Sequence, residues 1–455
     1  MQPAFTQPAV DLEAPTTARS AHVYAYAHEV QGDLEGAARG YADALRRDPE
    51  FRPARRHLAL ALVRLGRPRE SIALFRAELA EAGDGAAWLG AAISRAMQEV
   101  DLSVAGELAA ILAALERGSE WYPPAAVGPP PPLADLQISV PKLEHDLAQL
   151  RYLRELGVLD TTFDELIEAY AGAAQRHAPL GDNACAALGP DDVHPLGRAY
   201  GRLVHVASAP RIDAALSASW DRARVQHLYC EQRPGVVVID DFLTERALAS
   251  LRRFCLESTV WSGNRYADGR LGSLFFAGFN CPLLMQLAEE IRDALPALIG
   301  PRHPLRQLWG FKYTRPLPAD STVHADFAAV NVNFWITPSA ANLDEGSGGM
   351  VIYDLDAPPS WDFATDNERI DVIRAYLAHH QPRAIRVPYR QNRAVIFNSD
   401  LFHATEAVQF RPAYDSQRIN VTMLYGERNL DQHHPPRSEL SPTAWRSRAF
   451  ARSRR

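Results

Sequence analysis

Two histidines and one aspartate have the types and the spacing of a metal site. His324 and Asp326 form a His-x-Asp pair inside a predicted strand, and His403 comes directly after a later predicted strand, RAVIFNS. Side chains alternate along a strand, so residues 324 and 326 are expected to converge on one face. Two imidazoles and a carboxylate bind Fe(II) and leave coordination positions open for other ligands. The pattern therefore predicts a non-haem iron site at this His-Asp-His group.

A later predicted strand supplies a cation beside polar side chains. In RINVTMLYG, Arg418, Asn420 and Thr422 share one face, and apolar residues alternate with them on the other face. Such a strand is typical of the lining of a wet pocket that is backed by an apolar core. A guanidinium fork binds a carboxylate through two parallel hydrogen bonds. Arg418 therefore predicts that the pocket takes an acidic ligand.

Two other strands carry further candidates. Tyr313 lies in GFKYT, shortly before the His-x-Asp pair, and Asn331 and Asn333 share one face of AVNVNFWIT. If the apolar face of that strand is core, the asparagines look into the barrel. Tyr313 and Asn333 are thus candidate ligand contacts. The alternatives are an ordinary strand tyrosine and a structural hydrogen bond.

These residues need a scaffold of short strands to position them. After about residue 305 the chain is rich in aromatic and β-branched residues broken by Pro, Gly and Asn, which predicts strands and turns. Such a series fits a β-sandwich or jelly roll. A strand, a turn and an amphipathic helix precede it in GVVVIDDFLTERALASLRRFCLES, with Thr244 as the predicted N-cap. The predicted strands are LWGFKYT, STVHADF, AVNVNFWIT, GMVIYD, AIRVPY, RAVIFN, ATEAVQF and RINVTMLYG.

Residues from about 233 to 427 resemble the Fe(II)/2-oxoglutarate-dependent dioxygenases, and within them the prolyl-4-hydroxylase-like branch. The features that carry the resemblance are the opening GVVVIDDFL, the HAD triplet at 324–326, the Gly-Gly pair at 348–349, FNSDLFH ending at His403, and Arg418. The resemblance implies a C-terminal double-stranded β-helix, or jelly roll, with flanking helices. It also implies a hydroxylase that converts 2-oxoglutarate to succinate and CO2.

The resemblance assigns roles to individual residues. It places Fe(II) on the His-Asp-His group, whose members are then catalytic as well as metal-binding. It pairs Arg418 with the distal carboxylate of 2-oxoglutarate, and it makes Tyr313, Asn333 and Asn420 further candidate contacts of that cosubstrate. The implied cofactors are Fe(II), 2-oxoglutarate and O2, with ascorbate as an additional candidate.

The N-terminal part of the chain contains an internal repeat. Ala25, Gly32 and Tyr41 recur 34 residues later as alanine, glycine and phenylalanine. This period, with small residues inside and an aromatic on the second helix, is typical of tetratricopeptide repeats. The alternative is an alanine-rich helical hairpin with coincidental spacing. Such repeats predict a protein or peptide partner, and the other role open to them is to hold a homodimer.

The predicted organisation is multidomain, with α-helical repeats followed by a β-rich domain. Four consecutive prolines at 129–132 favour a semi-rigid spacer between them. The helix predicted in KLEHDLAQLRYLRELG carries His145, Gln149 and Tyr152 on one face, which is expected to be solvated. The predicted parts are a flexible tail at 1–19, tetratricopeptide-like repeats at 20–118, a Pro-rich linker at 119–135, a helical connecting region at 136–229, the jelly roll at 230–430 and an Arg-rich tail at 431–455.

Composition excludes several classes of protein. The 455 residues include 48 Lys and Arg against 55 Asp and Glu, a net charge of −7, which disfavours nucleic-acid and anionic-membrane partners. The four cysteines form no CxxC pair, so neither a zinc knuckle nor a disulfide framework is expected. The sequence shows no signal peptide and no long apolar run, so a cytoplasmic location is expected.

Three functions stay open on the sequence. The first is a 2-oxoglutarate-dependent hydroxylase acting on a protein, peptide or carrier-bound substrate. The second is a metal cupin enzyme that does not use 2-oxoglutarate, in which Arg418 would have no carboxylate to bind. The third is a repeat-based interaction scaffold with an inactive jelly roll, against which the complete ligand set argues. The substrate does not follow from fold and ligands, because substrate choice lies in the surrounding loops.

Overall fold

The computed structural model describes residues 15–81, 84–122, 137–263, 269–319 and 323–428. The chain divides into two compact units, residues 1–89 and 90–455. Most of the predicted N-terminal tail, the proline run of the linker and the whole Arg-rich tail lie outside the described residues. Within the described residues, no helix is long and apolar enough to cross a membrane.

The first unit is built from helices that follow one another at a regular interval. The starts of α1 and α3, and those of α2 and α4, are each 34 residues apart. Small residues permit close packing, since a Cβ on Gly40 would lie 2.7 Å from the Cβ of Ala25. The assignment to the tetratricopeptide family stays a prediction. The helices are α1 (Ala18–Val30), α2 (Leu34–Arg47), α3 (Arg52–Arg64), α4 (Pro68–Ala80) and α5 (Gly85–Gln98), within which the division between the units falls.

The second unit begins with helices of its own. Arg117, at the end of the helix Leu102–Arg117, donates hydrogen bonds to the carbonyl oxygens of Gly201 and Ala277, and this helix packs on the helix Pro282–Ala294. The predicted repeat region therefore includes a helix that belongs to the second unit. Its first helices are α6 (Leu102–Arg117), α7 (Val140–Glu155), α8 (Asp164–His177), α9 (Pro190–Leu196) and α10 (Arg222–Glu231), and a short strand pair joins β1 (Gln137–Ile138) to β2 (Ala186–Ala187).

Two antiparallel sheets follow, as the strand pattern predicts. The larger has the order β3-β9-β6-β11-β5-β4 and the smaller β10-β7-β8. The strands are β3 (Val236–Ile239), β4 (Arg270–Leu274), β5 (Leu305–Tyr313), β6 (Val330–Trp335), β7 (Met350–Asp356), β8 (Ala384–Val387), β9 (Ala394–Asn398), β10 (Leu401–Thr405) and β11 (Arg418–Tyr425). The helices among them are α11 (Glu245–Glu257), α12 (Pro282–Ala294), α13 (Phe363–Glu368) and α14 (Ile370–His380).

The two sheets share one apolar core. Trp335 and Phe397 of the larger sheet pack with Ile352 and Leu401 of the smaller sheet, and all four are buried. Because side chains alternate along each strand, the other faces need their own cover. The smaller sheet is covered by α14, where Ile373 packs in a cluster with residues of β7 and β10. The result is a two-sheet antiparallel sandwich with flanking helices.

Two predicted strands are wrong in part. In STVHADF the described residues form only one isolated bridge, between His324 and His403. The N–H of Ala325 donates to the carbonyl of Asp366, so this backbone is satisfied by a helix rather than by a neighbouring strand. In ATEAVQF the regular strand ends at Thr405. His403, which was predicted to follow the strand RAVIFNS, lies inside the next strand, β10.

The predicted solvated face of α7 is also wrong. His145 is 1% exposed and Gln149 is 2% exposed. The amide of Gln149 donates to the carbonyl oxygens of Leu256 and Ser258 at 3.1 and 3.0 Å, and the ring of Tyr152 lies 5.1 Å from that of Tyr414. Contacts with a distant part of the chain therefore bury a polar face that helical periodicity alone cannot distinguish from a surface.

Candidate metal centre

The structure brings the His-Asp-His group together. One ligand atom from each of His324, Asp326 and His403 lies within 4.8 Å of the other two. Nε2 of His324 is 3.8 Å from Oδ1 of Asp326, and Nε2 of His403 is 3.4 Å from Oδ2 of the same carboxylate. Asp326 and His403 are buried, and His324 is partly exposed. Two imidazoles and a carboxylate thus converge on one point with access from one side.

Backbone pairing fixes the two histidines opposite each other. The N–H of His324 donates to the carbonyl of His403 at 3.0 Å, and the reverse bond measures 2.9 Å. The Nδ1–H of His403 donates to the carbonyl of Leu401 at 2.9 Å. A histidine whose Nδ1 carries the proton keeps the lone pair on Nε2 for a metal. The bond from Nδ1 therefore holds the His403 ring with Nε2 toward Asp326.

Asp326 is held as a carboxylate in a buried position. Burial raises the pKa of its carboxyl, but the hydrogen bond with His403, the nearby histidine charges and a bond from Asn331 outweigh this and lower the pKa below its usual range. The Asn331 amide donates to Oδ2 of Asp326 at 2.7 Å. The N–H of Asp326 also donates to the carbonyl of Ser399 at 3.1 Å. The ionised form that a cation requires is thus favoured.

Arg418 lies buried on the inner face of the sandwich. It is 2% exposed, and its guanidinium donates to the carbonyl oxygens of Gly348 and Gly349 and to Oδ1 of Asn420, at 2.6, 3.4 and 3.0 Å. Among the described residues, none of its hydrogen bonds goes to a carboxylate. Burial lowers its pKa from the usual range. A buried guanidinium without an acidic partner favours an anionic ligand.

The Gly-Gly pair is needed for this arrangement. Gly348 has a φ of +75°, in the left-handed region. A Cβ on Gly349 would lie 1.8 Å from the carbonyl oxygen of Val387. Glycine at these two positions therefore permits the left-handed backbone at 348 and the close approach of residue 349 to the Val387 backbone.

Tyr313 connects Arg418 to the strand that carries His403. The guanidinium of Arg418 lies 4.7 Å from the centre of the Tyr313 ring, and the tyrosine hydroxyl is 3.0 Å from Oγ1 of Thr405. Thr405 and His403 are two residues apart on β10, so their Cα atoms are about 7 Å apart. Tyr313 therefore links the guanidinium of Arg418 to the strand that carries His403.

The two predicted asparagine contacts differ in their surroundings. Asn420 accepts a hydrogen bond from Arg418. Asn333 donates to Oγ1 of Thr422 at 2.8 Å, while its own Oδ1 is buried and has no hydrogen-bond partner among the described residues. Both asparagines are buried on the face that holds Arg418. Asn420 is therefore placed beside the proposed anion position, and Asn333 lies across from Thr422 on the same sheet.

Two residues at the site were not predicted as contacts. Asn331 was expected only to share a face with Asn333, yet it is the residue that bonds Asp326. Trp335 is fully buried, and its ring centre is 5.7 Å from the guanidinium of Arg418. Within the part of the chain that the structure describes, its Nε1 has no hydrogen-bond partner. The sequence pattern could have indicated both residues, because every second residue of a strand lies on the same face and 331, 333 and 335 therefore share one face of β6.

The residues present fit a divalent iron and a short dicarboxylate. Nitrogen and oxygen donors without a thiolate suit Fe(II) rather than structural zinc. The unpartnered N–H of Trp335 and the guanidinium of Arg418 are two donors that a carboxylate could accept from.

No protein-family model and no curated protein matches the chain. Among solved structures it is similar to the non-haem α-ketoglutarate-dependent carbocyclase SnoK from nogalamycin biosynthesis, at 15% identity and a TM-score of 0.35, over 48% of this chain and 87% of that one. It is similar to EctD from S. alaskensis, with 2-oxoglutarate and 5-hydroxyectoine, at 14% identity and a TM-score of 0.30, over 49% and 84%.

A third similar structure is HygX from Streptomyces hygroscopicus, with nickel and 2-oxoglutarate bound, at 15% identity and a TM-score of 0.31, over 45% and 87%. None of the three is described as a prolyl hydroxylase, so that branch stays a prediction. At these TM-scores we draw no conclusion from the similarity, and we assign the site on its own geometry.

Proposed function

We propose that the protein is an Fe(II)- and 2-oxoglutarate-dependent oxygenase. The observation that carries the proposal is the presence of two features inside the sandwich, one at β10 of the smaller sheet and one on β11 of the larger sheet. A His-Asp-His group has its ligand atoms within 4.8 Å of one another, and Arg418 is buried nearby with no hydrogen bond to a carboxylate among the described residues. A metal site alone fits many enzymes, whereas a metal site beside a buried anion-binding guanidinium favours a chelating dicarboxylate.

Each residue has a defined task in this proposal. His324, Asp326 and His403 hold the iron, and Asn331 keeps the Asp326 carboxylate oriented and ionised. Arg418 binds the distal carboxylate of 2-oxoglutarate, and Tyr313 packs against the guanidinium. Iron and 2-oxoglutarate, when bound, supply the oxidation of a substrate C–H bond by O2 with release of succinate and CO2.

Burial strengthens the proposed recognition of the dicarboxylate. A charge-assisted hydrogen bond is stronger where water is excluded, and Arg418, Asn420 and Trp335 are all buried. The guanidinium packs on the ring of Tyr313, whose hydroxyl is 3.0 Å from Oγ1 of Thr405 on the strand of His403. Arg418 thus selects for a second carboxylate on the metal-bound molecule.

We further propose that the substrate is a protein, peptide or carrier-bound molecule that the N-terminal helices recruit. The helix pairs of the first unit repeat at 34 residues. Such repeats present a concave surface to a partner, and a tethered partner gains effective concentration at the oxygenase. A role of the same helices in dimerisation is the competing outcome.

The decisive experiment measures binding and turnover separately. Titration calorimetry under anaerobic conditions would follow 2-oxoglutarate binding to the Fe(II)-loaded protein, and a succinate assay with a panel of peptides and amino acids would follow turnover. Binding that depends on Arg418 together with succinate release supports the proposal. Metal binding without 2-oxoglutarate binding would favour a different metal enzyme, and absence of both would favour an inactive scaffold.

A further inference from the structure

A helix outside the two sheets holds the peptide between two of the proposed iron ligands. Ala325 lies between His324 and Asp326. Its N–H donates to the carbonyl of Asp366 at 3.2 Å, and its carbonyl accepts from the amide of Asn367 at 3.0 Å. Both partners belong to α13. Because this segment is not a regular strand, α13 supplies hydrogen bonds that a neighbouring strand would otherwise supply.

A buried ion cluster anchors α13. The Asp366 side chain is fully buried and accepts from Nη1 of Arg428 at 2.7 Å. Nη2 of Arg428 donates to the carbonyl of Ala357 at 2.9 Å, and its Nε forms an ion pair with Asp400. One guanidinium therefore joins α13, the loop after β7, and the turn that leads into the strand of His403.

The same guanidinium also reaches the far side of the ligand segment. It lies 5.0 Å from the ring centre of Phe327, directly after Asp326, and the Phe327 ring lies 5.7 Å from that of Phe363 in α13. The segment is thus held at Ala325 through α13 and at Phe327 through the arginine. A planar guanidinium with five donors can serve two carboxylates and a carbonyl at once, whereas an ammonium cannot match this geometry.

We propose that Arg428 is a positioning residue for the metal centre. Through Asp366 and α13 it fixes the Ala325 peptide, and this keeps His324 and Asp326 aimed at the iron. The inference rests on the proposed function, because it requires that the His-Asp-His group bind a metal. Groups that orient metal ligands typically change metal affinity by about 10- to 100-fold when they are removed.

The first test uses Co(II) as a spectroscopic probe in the full-length protein. We expect Arg428→Lys and Asn367→Ala each to weaken Co(II) binding about tenfold or more and to change the visible absorption bands of the bound ion. Arg369→Gln is the matched control, because Arg369 lies between α13 and α14 and its side chain is 59% exposed. This control should keep the wild-type affinity and spectrum.

The second test needs no metal. Hydrogen–deuterium exchange of the metal-free protein should be faster at the peptide containing Ala325 in both variants, and unchanged in the control. Asn367→Ala removes one bond to Ala325 but leaves the ion cluster intact, so it tests the inference even if Arg428→Lys does not fold.

The outcomes separate the two proposals. The positioning role alone would be overturned if the folded Asn367→Ala and Arg428→Lys proteins kept the wild-type Co(II) affinity, absorption spectrum and hydrogen exchange. In that case His324→Ala must still abolish Co(II) binding, which shows that the metal site itself is correctly assigned. Failure of the wild-type protein to bind Co(II), or binding that survives His324→Ala, would overturn the proposed function and the positioning role with it.

Discussion

His324 and His403 face each other across an isolated antiparallel bridge, and each N–H donates to the other residue's carbonyl. Their ring centres are 4.4 Å apart. This pairing places two histidines that are distant in sequence at one point, although the segment around His324 is not a regular strand. The position of the proposed metal is thus set by backbone hydrogen bonds as well as by side chains.

Removal of any member of the His-Asp-His group should abolish stoichiometric metal binding. We expect His324→Ala, Asp326→Ala and His403→Ala to lose bound Fe(II), because each supplies one of three converging ligand atoms. Elemental analysis of protein purified anaerobically with Fe(II) gives the measurement. His379→Ala, an exposed histidine on α14, is the control and should keep the wild-type content. Full occupancy in any of the three variants would contradict the assignment.

Arg418→Ala should weaken 2-oxoglutarate binding while the metal stays bound. Loss of a charge-assisted pair to a carboxylate costs about 1.5–3 kcal/mol, which is roughly a tenfold to 150-fold loss of affinity. Arg418→Lys should recover only part of this, because an ammonium lacks the planar fork. Calorimetry on the Fe(II)-loaded proteins measures the 2-oxoglutarate affinity of both variants. The charge-matched control is Arg390→Gln, because Arg390 is an arginine paired with Asp240. An unchanged affinity in the alanine variant would mean that Arg418 does not bind the cosubstrate.

Asn331 and Asn333 should differ in their effect on the metal. Asn331 donates to the Asp326 carboxylate, whereas Asn333 donates to Thr422. We expect Asn331→Leu to weaken metal binding by about 10- to 100-fold and Asn333→Leu to leave it nearly unchanged. Metal titration of the two variants side by side makes each the control for the other. Equal losses would show that the effect is a general disturbance of β6.

The sequence predicted the chemistry of the centre better than the structure around it. The alternation of β6 and β11 was enough to place Asn333 and Arg418 on a common inner face. This alternation could not show that Asn331 is the hydrogen-bond partner of Asp326. That contact depends on the path of the segment that carries Asp326, which is not a regular strand. The same limit applies to α7, where His145 is buried by contacts that no local pattern records.

His145 should make folding less stable as the pH falls. Burial, and then the charge of Lys312, lower its pKa from 6.5 to about 3, although its bond to Asp146 acts in the opposite direction. Below pH 6.5 the unfolded chain therefore binds a proton that the folded chain excludes, and stability is lost down to about pH 3. Between pH 7.5 and pH 5.5 the free energy of unfolding should therefore fall by on the order of 1 kcal/mol because of this residue.

Denaturant unfolding of the wild-type protein and of His145→Asn at both pH values tests this. The wild-type protein should lose on the order of 1 kcal/mol more than the variant, because the variant has no proton to exclude. An identical pH dependence in the two proteins would show that His145 is protonated in the folded state.

Truncation at two different points should separate the roles of the N-terminal helices. A deletion of residues 1–84 keeps α5 and α6, whereas a deletion of residues 1–118 removes α6, whose Arg117 bonds the Gly201 and Ala277 carbonyls. We expect the shorter deletion to leave a folded protein whose uncoupled 2-oxoglutarate turnover is nearly intact and whose KM for its substrate is raised.

The longer deletion should lower the thermal midpoint or prevent folding, since α6 packs on α12 and its loss would expose part of the core of the second unit. Thermal unfolding and succinate release measure the two effects. A protein lacking residues 1–84 that turns over its substrate with an unchanged KM would remove the recruitment proposal, and a change in its oligomeric state would assign these helices to dimerisation instead.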